Sequence, residues 1–217
     1  MKNKIWFFGD SVTKGVGCLK GDPYYQEDKK IFTQIVADKL NMVVKNVSIG
    51  GASTDWILHQ ILVSIKYMKP HDIVVVSNTL PWGTIMFNNE KDKLLPINDL
   101  WMANNEFLYN SKEEKDIIFQ FSNLKRKYKK SFYEKFEKEI DALKLILKKF
   151  GVELYQWDIR IWFDDENLRP YDTEYESIMK VTNEKIKDGH LSYGAHEKIA
   201  EHILNKIEIS KKDKTFI

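Results

Sequence analysis

The stretch Ile5-Trp6-Phe7-Phe8-Gly9-Asp10-Ser11-Val12-Thr13-Lys14-Gly15 constrains this 217-residue chain more than any other. Large apolar residues follow one another from Ile5 to Phe8 and then give way at once to Gly-Asp-Ser. A short unbroken apolar run bounded by turn residues is the pattern of a buried strand. A serine just past such a strand stands at the carboxyl end of a sheet, where open α/β folds assemble their sites.

The same pattern recurs along the chain. Met42–Val47 leads into Ser48-Ile49-Gly50-Gly51, Asp72–Val76 into Ser77-Asn78-Thr79, and Val152–Trp157 into Asp158. Helical periodicity fills the intervals. Lys30–Leu40 carries Ile31, Ile35, Val36 and Leu40 at helical spacing. Asp55–Met68 follows Ser53-Thr54, which are N-capping residue types, and carries Trp56, Ile57, Ile61, Leu62 and Ile65. Phe132, Phe136, Ile140, Leu143, Leu147 and Phe150 step through a Lys- and Glu-rich background to a stop at Gly151. Strands alternating with helices predict an α/β fold, with a parallel sheet covered on both faces and right-handed crossovers.

A hydrophobic fraction of 43% supports a substantial core, and the length suits a single domain over 1–217. Acidic and basic residues nearly cancel, with 34 Lys and Arg against 32 Asp and Glu, so no net field favours nucleic acid as a partner. The single cysteine, Cys18, cannot form an intrachain disulfide. The apolar run after Met1-Lys2-Asn3-Lys4 is too short for a signal-peptide core, and no stretch approaches the ~20 apolar residues of a membrane helix. The expectation is a soluble, cytoplasmic protein with no membrane partner. No His/Cys/carboxylate spacing suggests a metal site, and no glycine-rich loop suggests a nucleotide, so no metal or other cofactor is expected. Asp164-Asp165-Glu166 reads as a solvated acidic loop.

About 70 residues separate Asn78 from the fourth predicted strand, far more than one crossover helix needs. The excess, at about 81–130, is read as an inserted helical cap containing Trp82, Met86, Phe87, Trp101, Met102, Phe107 and Tyr109. Such a segment either covers a site and contacts substrate or adds packing without a substrate role. The basic run Lys125-Arg126-Lys127-Tyr128-Lys129-Lys130 within it reads as a solvated helix face.

The block Gly9-Asp10-Ser11-x-Thr13-x-Gly15 resembles the nucleophile block of the SGNH (GDSL-type) hydrolases. That resemblance implies a three-layer flavodoxin-like sandwich with a central parallel sheet and makes Ser11 the attacking residue. It also supplies partners in chain order. Ser48-Ile49-Gly50-Gly51 resembles the family's glycine block, with Gly51 the better match, whose backbone N–H would face the substrate oxyanion. Asn78 stands where the family places an oxyanion-binding Asn, although the block reads Ser77-Asn78-Thr79 rather than the usual Gly-x-Asn-Asp. Asp188-Gly189-His190 resembles the final block, with one residue between Asp and His where two are commoner. The implied triad is Ser11, His190 and Asp188; the implied oxyanion hole is the Ser11 N–H, the Gly51 N–H and the Asn78 amide. Ser192 is placed to cap the last helix, which Ile199, Ile203, Leu204 and Ile207 would pack on the sheet.

Of the other histidines, His196 falls one turn before Ile199 and reads as a partly buried structural residue, while His59, His71 and His202 lack any motif. Asp10 reads as a turn residue bonding nearby backbone, and Cys18 has no histidine near it in sequence. The expected activity is hydrolysis of a small-molecule or glycan acyl ester. An acyltransferase using the same residues, or a non-catalytic binding module on the same scaffold, stands as the alternative. The oligomeric state is not legible.

Overall fold

A computed structural model describes residues 2–22, 24–78, 84–88, 93–97, 112–158 and 191–214. In chain order the elements are β1 (Lys4–Phe8), α1 (Ser11–Lys14), α2 (Phe32–Lys39), β2 (Val43–Asn46), α3 (Thr54–Ser64), β3 (Ile73–Asn78), β4 (Thr84–Asn88), β5 (Lys93–Ile97), α4 (Lys112–Lys127), α5 (Lys129–Lys149), β6 (Glu153–Asp158) and α6 (Tyr193–Lys214). A 3-10 turn over Ile65–Tyr67 extends α3.

Four strands form one parallel sheet in the order β2-β1-β3-β6. The side chains of β1, β3 and β6 alternate between two cores, whereas the edge strand β2, expected from its apolar run to be buried, is largely exposed, with only Val44 packed partly against the core. Ile5 and Phe7, with Ile73, Val75 and Trp157, pack against α2 and α6. Trp6 and Phe8, with Val74 and Val76, pack against α3 and α5 through Ile57, Ile61, Phe136, Ile140, Leu143 and Leu147. This explains the unbroken apolar runs. A parallel strand covered on both sides has no solvent face to mark with polar residues. Each fully buried Ile, Val or Phe contributes roughly 1.5–3 kcal/mol. The expected three-layer α/β sandwich is therefore what the chain forms.

Polar bonds close the amino edge of the sheet. Asp72 is buried at the start of β3; its Oδ1 accepts from the Lys4 N–H at 2.8 Å, and its Oδ2 from the Trp6 indole at 3.0 Å and the Lys69 N–H at 3.1 Å. The stop predicted at Gly151 is present: α5 ends at Lys149 with Phe150 as its C-cap, Gly151 adopts φ 70°, and its carbonyl accepts from the His71 N–H at 2.7 Å.

The stretch at 81–130 is not helical throughout. β4 and β5 pair as an antiparallel hairpin, from Thr84 opposite Ile97 to Asn88 opposite Lys93, before α4 begins. Trp82, Trp101, Met102, Phe107 and Tyr109 lie outside the described residues. Nor is the basic run uniformly solvated. Lys127 and Lys130 are exposed, but Lys125 is buried. Its ammonium pairs with Asp55 of α3 and lies 5.2 Å from the Phe121 ring centroid and 5.3 Å from that of Phe132. A cation between aromatic faces with a carboxylate partner can be buried where a bare one cannot. Among the described residues, no helix is long and apolar enough to cross a membrane.

Candidate active site

Ser11 opens α1 directly beyond the carboxyl end of β1 and is partly buried. The turn that holds it is built by its neighbours. Asp10 is the N-cap, its Oδ1 accepting from the Val12 N–H at 3.0 Å, so its carboxylate has the backbone role expected of it. Gly15 ends the turn at φ 84° and donates to the carbonyls of Ser11 and Val12. Gly9 is required by space rather than by torsion. A Cβ there would stand 2.1 Å from Thr13 Oγ1 and 2.9 Å from Ser77 Cβ. The spacing Gly9, Ser11, Thr13, Gly15 is thus one packed unit, with Thr13 wholly buried beneath it.

The loop after β2 is laced to that unit. The Val47 N–H donates to the Phe7 carbonyl at 2.9 Å and the Ile49 N–H to the Gly9 carbonyl at 3.3 Å. Asn46 Nδ2 donates to the Thr13 carbonyl at 2.8 Å. Beyond this lacing comes the glycine pair. Gly51 adopts φ 74°, a conformation glycine takes without strain, whereas Gly50 has no positive φ. Ser53 then caps α3, its Oγ accepting from the Trp56 N–H at 3.3 Å.

Asn78 is the last residue of β3 and is 3% exposed. Its Oδ1 accepts from Gln156 Nε2 at 2.7 Å. Gln156 is the functional candidate that motif reasoning missed. The available signal was a lone amide in the otherwise apolar and aromatic run Leu154-Tyr155-Gln156-Trp157.

Asp188 and His190 lie outside the described residues. The chain that follows them is firmly held. Leu191 is buried in the same core cluster as Val12, and its carbonyl accepts from Cys18 Sγ at 3.5 Å. The Tyr193 hydroxyl donates to the Cys18 carbonyl and accepts from the Gln26 N–H, each at 3.0 Å. Ser192 caps α6 as expected, its Oγ accepting from the Ala195 N–H at 3.3 Å.

The described histidines sort by position. His196 is 1% exposed and stacked on Phe32, and burial pushes its pKa down from 6.5 to about 4. It is a neutral core residue. His71 precedes β3, at the edge of the sheet opposite Ser11, and His59 and His202 sit within α3 and α6. Among the described residues, no group of three or more His, Cys, Asp or Glu side chains is arranged to hold a metal ion.

No protein-family model matches the chain, and no curated protein sequence does. Among solved structures it is similar to the psychrotrophic esterase EstA from a Pseudoalteromonas species, at 11% identity over 97% of this chain and 99% of that one, with a TM-score of 0.43. It is also similar to Est2A, an acetyl xylan esterase from the rumen bacterium Butyrivibrio proteoclasticus, at 14% identity and a TM-score of 0.47. There it covers 97% of its own length and 64% of that enzyme's. A third likeness is to LAE5, an α/β hydrolase from the metagenome of Lake Arreo, at 14% identity, 91% coverage of each chain and a TM-score of 0.35.

Proposed function

We propose that the chain is a serine esterase or deacylase of the SGNH type that cleaves small acyl esters, O-acetyl groups on a carbohydrate among them, through an acyl-enzyme on Ser11. One observation carries the reading. The segments bearing Ser11, Gly51 and Asn78 leave the sheet at its carboxyl edge from three adjacent strands, β1, β2 and β3. In the order β2-β1-β3 the chain reverses direction across β1, and such a switch point is where open α/β sheets bind ligands. A second observation supports the assignment of the base. Val12 and Leu191, the immediate neighbours of Ser11 and His190, share one buried cluster.

In this scheme Ser11 Oγ attacks the ester carbonyl while His190 takes its proton. The tetrahedral intermediate collapses, the C–O bond to the alcohol breaks, and His190 returns the proton to the leaving oxygen. Water, deprotonated by the same imidazole, then releases the acid and restores Ser11. Asp188 holds the ring's tautomer and stabilises the imidazolium. Base assistance of this kind contributes about 10²–10⁴-fold. The Ser11 and Gly51 N–H groups and the Asn78 amide receive the oxyanion, each donor worth about 10²–10³-fold. No cofactor is needed for any step.

The test is Ser11→Ala, read by hydrolysis of p-nitrophenyl acetate and by labelling with a fluorophosphonate. The expected result is that wild-type chain is labelled and turns over ester, while the variant does neither. Activity that survives Ser11→Ala, or a wild-type serine that a fluorophosphonate leaves untouched, refutes the proposal.

A further inference from the structure

The bond from Gln156 to Asn78 orients the amide. A carboxamide presents an acceptor and a donor group at two positions on one carbon, and its value to an anion depends on which of them faces it. Gln156 lies opposite Val76 in the β3–β6 ladder and reaches diagonally to Asn78 two residues further along. It approaches with its Nε2 hydrogens, so Asn78 Oδ1 is the atom engaged on the β6 side. The sheet order puts β6 on one side of β3 and β1, with Ser11 beyond its end, on the other.

Resting on the esterase reading above, we infer that Gln156 is a positioning residue: by occupying Asn78 Oδ1, it turns Asn78 Nδ2 away from β6 toward the oxygen that becomes negative during attack on the substrate. The reverse rotamer of Asn78 would set a carbonyl oxygen against that charge. Packing would hardly distinguish the two, since the amide's O and N are nearly equal in size; the hydrogen-bond partner decides between them. Asn78 is buried, so its oxygen needs this partner on its own account as well.

Two nearly isosteric substitutions separate orientation from packing. Gln156→Glu places an acceptor where a donor stood, attracts Nδ2 toward β6 and presents Oδ1 to the oxyanion. Gln156→Met removes the bond and leaves the amide without a preference. Initial rates on p-nitrophenyl acetate are measured for both, for Asn78→Ala and for the double variant Asn78→Ala with Gln156→Glu, and folding is checked by thermal unfolding. Loss of an oxyanion donor costs about 10²–10³-fold in kcat, and Gln156→Glu is expected to approach the loss seen in Asn78→Ala, with KM little changed. Gln156→Met is expected to fall between Gln156→Glu and wild type. In the Asn78→Ala background, Gln156→Glu is expected to change kcat no further.

A folded Gln156→Glu with wild-type kcat, in an enzyme that still loses activity in Ser11→Ala, overturns this inference and leaves the esterase reading standing. Losses that persist undiminished in the Asn78→Ala background also overturn it, since Gln156 would then act by some route other than Asn78. A wild-type chain with no Ser11-dependent activity removes the premise and is read as failure of the esterase proposal.

Discussion

Replacing His196 tests how the C-terminal helix is seated on the sheet. The ring lies in the first turn of α6, 1% exposed, with its centroid 5.7 Å from that of Phe32 and the two planes 23° apart. Nδ1 has no hydrogen-bond partner among the described residues. Desolvation therefore penalises the charged form and lowers the pKa from 6.5 to about 4. In the unfolded chain the imidazole titrates near 6.5. Between those values the unfolded chain binds a proton that the folded chain excludes, so stability must fall as pH drops through the window. At 1.36 kcal/mol per pKa unit, the gap amounts to about 3 kcal/mol, present in full above pH ~6.5 and gone by pH ~4. Against a typical total of 5–15 kcal/mol for a folded domain, that is a large share. The assay is urea unfolding followed by tryptophan fluorescence at pH 7, 6, 5 and 4, for wild type and His196→Leu. Carboxylates titrate in both chains and cancel in the difference. The leucine variant is expected to gain on wild type by about 3 kcal/mol between pH 7 and pH 4. Parallel profiles for the two chains would refute the reasoning, because they would mean that the ring is protonated as readily folded as unfolded.

Gly9→Ala is expected to destabilise the chain and slow fluorophosphonate labelling of Ser11, because its Cβ would stand 2.1 Å from Thr13 Oγ1. Overpacking of this degree costs about 3 kcal/mol, or roughly 6–12 °C in the midpoint of a thermal melt. Adding Thr13→Ala should restore part of both; a single Gly9→Ala that melts and labels like wild type would contradict the packing. Lys125→Ala strips a 2%-exposed side chain from between two rings and leaves Asp55, about one-third exposed, without that ammonium. It should cost roughly 2–3 kcal/mol in chemical unfolding, less than for a fully buried pair because solvent reaches the carboxylate, and Lys125→Met should cost less than half of that.

The sheet was legible because its signal is local. Ile5–Phe8 and Val74–Val76 are unbroken apolar runs that suit a strand covered on both faces, and Val152–Trp157, despite Glu153 and Gln156, still sets apolar side chains on both faces. The boundary of β3 slips for the same reason. Hydrophobicity ends at Val76, yet Ser77 and Asn78 stay in the ladder opposite Trp157 and Asp158. His196 was legible too, since helical spacing sets it on the face of Ile199 and Ile203. The hairpin was not. Lys93-Leu94-Leu95-Pro96-Ile97 holds a proline, which argues against a central strand but is tolerated in a two-stranded ribbon where every strand is an edge. Lys125 misled because its partner, Asp55, is 70 positions away, and Gln156 was overlooked because Asn78 is 78 positions away. Periodicity and motif spacing report neighbours along the chain; pairs of this kind exist only once the sheet has formed.

Gly9 presses against Thr13 and Ser77 so closely that the floor under Ser11 is solid. Under the esterase proposal, a long acyl chain would find no passage from Ser11 between Gly9, Thr13 and Ser77 without dismantling the turn. Under the same proposal, selectivity for acyl-chain length would be set elsewhere than beneath Ser11. If that proposal holds, redesign for bulkier esters should leave Gly9 and Thr13 untouched.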